Sequence, residues 1–181
     1  ILSGDKFNFS YKKDGTFDII LKKGNTQYFI DVKRIVYDGD LINISNEYIE
    51  NKLKQKLDEV CKKASKLDKP IFLSIDCSDI AVVEEYEGED SETKKPVYKV
   101  GWNGDRIRKI LEKYIKTNIE NLPDLKKIAG VGLFFWVMGI PKSKPEFTLI
   151  FYHIPYTNPF SSFYSQETIK INNIMWDNFA K

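Results

Sequence analysis

Apolar and polar residues alternate through the first forty positions. Phe7, Phe9 and Tyr11 take every second place, so Lys6 to Lys12 is predicted as a strand, and Asp14-Gly15 turns it into a second, Thr16 to Lys23. Gly24-Asn25 separates that run from a third, Thr26 to Val36; both residues tolerate the positive φ of a two-residue hairpin loop. Asp38-Gly39-Asp40 breaks the pattern, and the period then changes. Ile49, Leu53, Leu57, Val60 and Ala64 recur at three and four, which predicts a helix from Asn46 to Leu67 ended by Lys69-Pro70. Ile71 to Asp76 is a short apolar run of the kind found in a buried parallel strand. A second helix opens at Trp102-Asn103-Gly104-Asp105 and runs to about Ile119 on a stripe of Ile107, Ile110, Leu111, Tyr114 and Ile115. Ile128 to Ile140 reads as a buried strand, Pro141 to Pro145 as a stiff turn, and Glu146 to Ile154 as a last strand. The tail, with Pro155, Pro159 and many aromatics, is expected to wrap the sheet. The order β-β-β-α-β-α-β-β predicts an α/β fold: a mixed sheet with an antiparallel meander, a right-handed α-β crossover and helices on both faces.

The hairpin at Gly24-Asn25 carries the chemistry. With those two residues as the loop, Asp18 falls directly opposite Asp31, with Cβ atoms about 5 Å apart, and like charges so placed repel. Lys33 projects from the same face as Asp31. The other face sets Phe17, Ile19 and Leu21 against Val32, Ile30 and Tyr28 and is expected to be core. Two facing carboxylates on strands built for burial cost stability unless a cation joins them, and a divalent ion with oxygen ligands is the simplest candidate. A loop one residue longer would move the two acids to opposite faces.

Composition narrows the classes. The 181 residues carry a formal charge of +2, 42% hydrophobic and 14% aromatic residues, one histidine and two cysteines. No apolar run approaches the roughly 20 residues that span a bilayer, so no membrane partner is expected. His153, Cys61 and Cys77 are too few for the usual four-ligand structural zinc, and both thiols sit in apolar surroundings that point to a reducing cytoplasm. The chain begins at Ile1 with no leader, and is expected to be the C-terminal fragment of a longer one. Six acids and no bases fall in Glu84 to Glu92, within an expected acidic loop insertion at 83–97, so the remainder carries +8 and permits a nucleic-acid partner.

A meander with Asp18 on its second strand and Asp31-Val32-Lys33 on its third, followed by a helix and a parallel strand, resembles the PD-(D/E)xK nuclease superfamily over roughly Thr16 to Asp76. The resemblance implies a restriction-endonuclease-like fold over a single nuclease-like domain, residues 1–181. It implies a Mg²⁺-dependent nuclease, with Mn²⁺ substituting, that hydrolyses DNA in restriction, repair or toxin roles. Asp18 and Asp31 would hold the metal with the Val32 carbonyl, and Lys33 would orient or deprotonate the attacking water. Phe17 replaces the usual proline, and the helix that often supplies a glutamate before the meander is absent. Lys52 or Gln55, on the helix after the meander, would touch the nucleic acid, as would Lys142 and Lys144 in the proline-stiffened turn.

Other readings stay open. Lys33 in a plain cross-strand salt bridge makes the hairpin charges a surface feature, worth less than about 1 kcal/mol. A non-catalytic nuclease-like module that binds nucleic acid or protein in a larger assembly, or as a homodimer, fits the missing upstream glutamate. Asp76 and Asp79 read as a cap and turn. Gly130 and Gly132 lie inside a strand pattern and are expected to admit a closely packed helix. Tyr152, Tyr156, Phe160, Phe163 and Tyr164 are expected to cover a sheet edge.

Overall fold

The computed structural model describes residues 8–11, 17–37, 39, 44–139 and 148–177. The meander comprises β1 (Asn8–Tyr11), β2 (Ile19–Lys23) and β3 (Thr26–Arg34), all antiparallel. Gly24 takes φ +57° in the two-residue loop, and the ladder closes at Lys23 with Thr26. Its register, Ile19 with Ile30 and Leu21 with Tyr28, is the one the Gly-Asn turn dictates.

α1 (Asn46–Ala64) follows, capped by the Ser45 hydroxyl, which accepts the Tyr48 N–H at 3.0 Å. It buries Ile49, Leu53, Leu57, Val60 and Ala64, the stripe that its periodicity sets. β4 (Ile71–Asp76) then pairs parallel with β3. The segment expected as an acidic loop at 83–97 is a β-hairpin: β5 (Val82–Glu89) and β6 (Pro96–Trp102) form a separate two-stranded sheet. The run of acids hides the strands because charged residues are poor β-formers, whereas two-stranded pairing tolerates them on a solvated face. α2 (Gly104–Asn118) leads to β7 (Ile128–Gly139), parallel to β4, and β8 (Thr148–Thr157) closes the edge antiparallel to β7. Pro155 lies inside β8, as an edge strand allows. The tail covers the sheet as a helix: α3 spans Gln166–Asp177 and packs on β7 and β8. Lys142 and Lys144 lie outside the described residues.

The result is a mixed α/β sheet of six strands in the order β1-β2-β3-β4-β7-β8. Its main core lies on one face, where Leu53 and Leu57 of α1 and Ile107 and Leu111 of α2 meet Phe29, Leu73, Ile75, Val131 and Leu133. On the other face Ile171 of α3 joins Leu21, Tyr28, Ile30 and Phe72. Gly130 makes this second contact possible: a Cβ there would lie 2.6 Å from the Asn172 side-chain oxygen. Among the described residues, no helix is long and apolar enough to cross a membrane.

Candidate functional site

Residues of β3 alternate between the two layers, and Phe29, Asp31 and Lys33 point toward α1. Phe29 belongs to the core beneath that helix, while Tyr28 and Ile30 belong to the opposite cluster. Asp31 is therefore a carboxylate set among core side chains, and its exposure is 0%. A buried charge of this kind requires counter-ions. The Lys63 ammonium, in the last turn of α1, donates to Asp31 Oδ1 at 2.6 Å. Lys33 Nζ stands 3.1 Å from Oδ2 as an ion pair, but at an angle that leaves Oδ2 without a well-formed hydrogen bond. Lys33 also meets Glu59 at 3.5 Å, and Glu59 meets Lys56 at 3.7 Å.

The five side chains form an alternating series: Lys63, Asp31, Lys33, Glu59, Lys56. Three of them, at 56, 59 and 63, recur at three and four on α1, a stripe beside the buried one at Val60 and Ala64. That adjacency was the available signal for Lys63 and Glu59, which the sequence reading did not single out. Lys127 fixes the end of the helix from which Lys63 projects, donating to the carbonyls of Ala64 at 3.0 Å and Ser65 at 3.2 Å. Burial alone would lower the Lys33 pKa, but Asp31 and Glu59 outweigh it and the net shift is upward. Lys33 is thus held as a cation, suited to binding an anion or orienting water rather than removing a proton.

Asp18 arrives differently. The strand leaves the ladder after Ile19, and the chain bends at Asp18. Hydrogen-bonded pairs alternate along the ladder from Lys23–Thr26, so the next donor due a partner on β2 is the Val32 N–H. Asp18 Oδ2 takes it at 2.7 Å, replacing the backbone carbonyl the strand no longer offers. The carboxylate is thereby brought against the peptide that joins Asp31 and Val32. The bend also corrects the expected pairing: Asp18 and Asp31 are not a ladder pair, and Val32, expected in the core, is exposed. Phe17 does not share the face of Ile19 and Leu21 but packs on the α1 side, with its ring 5.2 Å from that of Phe29 and 5.6 Å from Lys63 Nζ. Val32 turns its N–H toward β2, whereas the N–H groups of Phe29 and Ile35 go to carbonyls on the β4 side. Its carbonyl faces the same way as its N–H, off the end of the β2-β3 ladder.

Asp18 Oδ2 meets the Val32 N–H, while the neighbouring Asp31 turns its carboxylate to Lys63 and Lys33; carboxylates with water and phosphate completing the shell are the donors magnesium takes. The buried Asp31 carboxylate, with Oδ1 held by Lys63 and Oδ2 facing Lys33 without a well-formed hydrogen bond, would offer an oxygen to such an ion once one of the two ammonium groups moved away. Among the described residues, no three His, Cys, Asp or Glu side chains stand together as a metal cage.

The remaining candidates lie elsewhere. Lys52 Nζ rests over the Tyr48 ring at 5.4 Å. Gln55 is exposed in a shallow groove of about 360 Å³ along one side of α1, with Asn51, Lys54, Asp58, Glu59 and Lys62. No contact ties Lys52 or Gln55 to Asp31. Asp79 pairs with Arg34 at 2.8 Å, and Asp76 accepts the Ser78 N–H at 3.0 Å, so both close the turn after β4. Burial raises the Cys61 thiol to about 12 and Cys77 well above its ordinary value, which makes both poor nucleophiles.

No protein-family model matches the chain, and no curated protein matches it. Among solved structures, the central domain of yeast acetyl-CoA carboxylase is similar with a TM-score of 0.43 and 10% identity, over 87% of this chain and 21% of that one. This chain spans about a fifth of that structure, and a likeness of this size carries neither fold nor activity across.

Proposed function

We propose that this chain carries a restriction-endonuclease-like core of the PD-(D/E)xK kind and hydrolyses DNA phosphodiester bonds with Mg²⁺ or Mn²⁺. One observation carries the reading: the Asp18 carboxylate lies against the Asp31–Val32 peptide while Lys33 pairs with Asp31. Asp31 and Lys33 are held on β3, a rigid element, and Asp18 lies at the bend just before β2. The strand order agrees, with β1, β3, β4 and β7 running one way and β2 against them.

Asp18, Asp31 and the Val32 carbonyl would hold the ion. When bound, it polarises a non-bridging phosphate oxygen and takes up charge in the transition state. Lys33, kept protonated, orients water or steadies the charge on the phosphate without accepting its proton. The buried, dry setting of Asp31 strengthens each of these interactions.

The test is cleavage of plasmid and single-stranded DNA in millimolar Mg²⁺ or Mn²⁺. Asp18→Ala, Asp31→Asn and Lys33→Met should each lose on the order of 10²-fold or more in rate. Full cleavage by any of the three overturns the assignment. The contact between Lys63 and Asp31 favours a second reading, a nuclease-like module that binds nucleic acid without cutting. DNA binding that persists with neither cleavage nor a thermal shift in Mn²⁺ would select it.

A further inference from the structure

We infer that Lys63 is a resident counter-ion of the Asp31 carboxylate, displaced when a divalent cation binds, and that it therefore sets how tightly the site holds metal. The inference rests on the metal-binding reading above. Asp31 has no exposed surface, and each of its oxygens faces an ammonium, Lys63 at 2.6 Å and Lys33 at 3.1 Å. A doubly charged ion on that carboxylate would stand against two like charges within contact distance, so one must leave.

The two lysines are not equivalent. Lys33 is anchored on a strand between two acids, Asp31 and Glu59, and its side chain is 19% exposed. Lys63 has Asp31 as its one acidic partner among the described residues, projects from a helix end and is 27% exposed. Its partial exposure gives the ammonium a way into solvent while the stem stays packed near the Phe17 ring. Its departure frees Oδ1 while Lys33 stays. Without metal, Lys63 keeps the buried carboxylate compensated, so Lys63 is a positioning residue for the ligand rather than a catalytic one.

Isothermal titration of the chain with MnCl₂ alone, with no DNA present, tests this. Lys63→Met and Lys63→Gln should bind Mn²⁺ on the order of tenfold more tightly than wild type, the equivalent of about 1.4 kcal/mol. Lys63→Arg, which keeps the charge, should stay near wild type, and Asp31→Asn should lose binding. Circular dichroism confirms that each variant is folded, and the Gln variant serves if the Met variant is not. Unchanged or weaker Mn²⁺ affinity in both neutral variants overturns the role of Lys63 and leaves the metal site standing. No heat from Mn²⁺ in wild type or in any variant overturns both.

Discussion

A carboxylate that loses all contact with water keeps its charge only where positive groups replace the solvent. Asp31 meets that condition through Lys63 and Lys33, and the consequence for stability is legible at Lys33. Its folded pKa lies above the ordinary 10.5: burial opposes this, and Asp31 and Glu59 override it. A group raised on folding contributes stability that is fully present below its unfolded pKa and lost as pH climbs through the folded one. Urea midpoints measured from about pH 8 upward should therefore fall more steeply above 10.5 in wild type than in Lys33→Met. Parallel curves would mean that the Asp31 and Glu59 contacts do not hold Lys33 in solution. At the same scale, removing the Asp18 carboxylate carries a cost to the fold, because it satisfies the Val32 N–H.

At the level of elements, α3 reaches the sheet through one close approach. Gly130 on β7 leaves no room for a Cβ beneath Asn172, which is fully buried and whose amide donates to the Thr157 hydroxyl at 3.1 Å. Asn172 cannot simply rotate away. Gly130→Ala should cost about 1–3 kcal/mol in chemical denaturation and lower hydrogen-exchange protection in α3 before the rest. Adding Asn172→Ala should return part of that loss, whereas two additive penalties would show that the pair is not in contact. The helix-accommodating role of Gly130 was readable from its place in a strand pattern, but α3 itself was not. Its twelve residues mix Asn, Thr and Lys with scattered apolar positions, and tertiary packing rather than propensity makes them helical. Although α1 ends at Ala64, short of Leu67, its start, the limits of β4 and the β2-β3 register from Ile19 to Lys23 were legible because periodicity, Pro70 and Gly24-Asn25 each speak locally. Lys63 was not, because its contact spans 32 residues and depends on how α1 docks across the sheet.

Over the whole molecule, charge is segregated. The β5-β6 hairpin is tied down at its base, where the Asn103 N–H bonds to Ala81 O at 2.9 Å and the Trp102 ring packs edge-on against Phe135 and tilted against Tyr152, with centroids 4.8 and 5.0 Å away. Its tip holds Asp90 and Glu92 beside Lys94 and Lys95, the whole hairpin carries six acids against three lysines, and β5 starts from the turn that follows β4. That turn lies at the carboxyl ends of β3 and β4, the end toward which Lys33 lies. Asp90 is structural: the Thr93 N–H and hydroxyl and the Glu92 N–H, in that order, hold its carboxyl below the usual range. Glu87, Glu89 and Glu92 are exposed, and the side-chain hydrogen bonds that shape the turn among the described residues come from Asp90 and Thr93. Replacing these three with Gln moves the formal charge from +2 to +5 without touching the hairpin's anchors. Stability should stay within about 0.5 kcal/mol of wild type, as for most surface changes. Affinity for non-specific DNA should rise severalfold at low salt, and the gain should fade as ionic strength screens the tip. Fluorescence anisotropy of a labelled duplex across a salt series measures both. An unchanged affinity at low salt would place the hairpin outside the path of the DNA, and a loss of stability would show that the tip does more than carry charge.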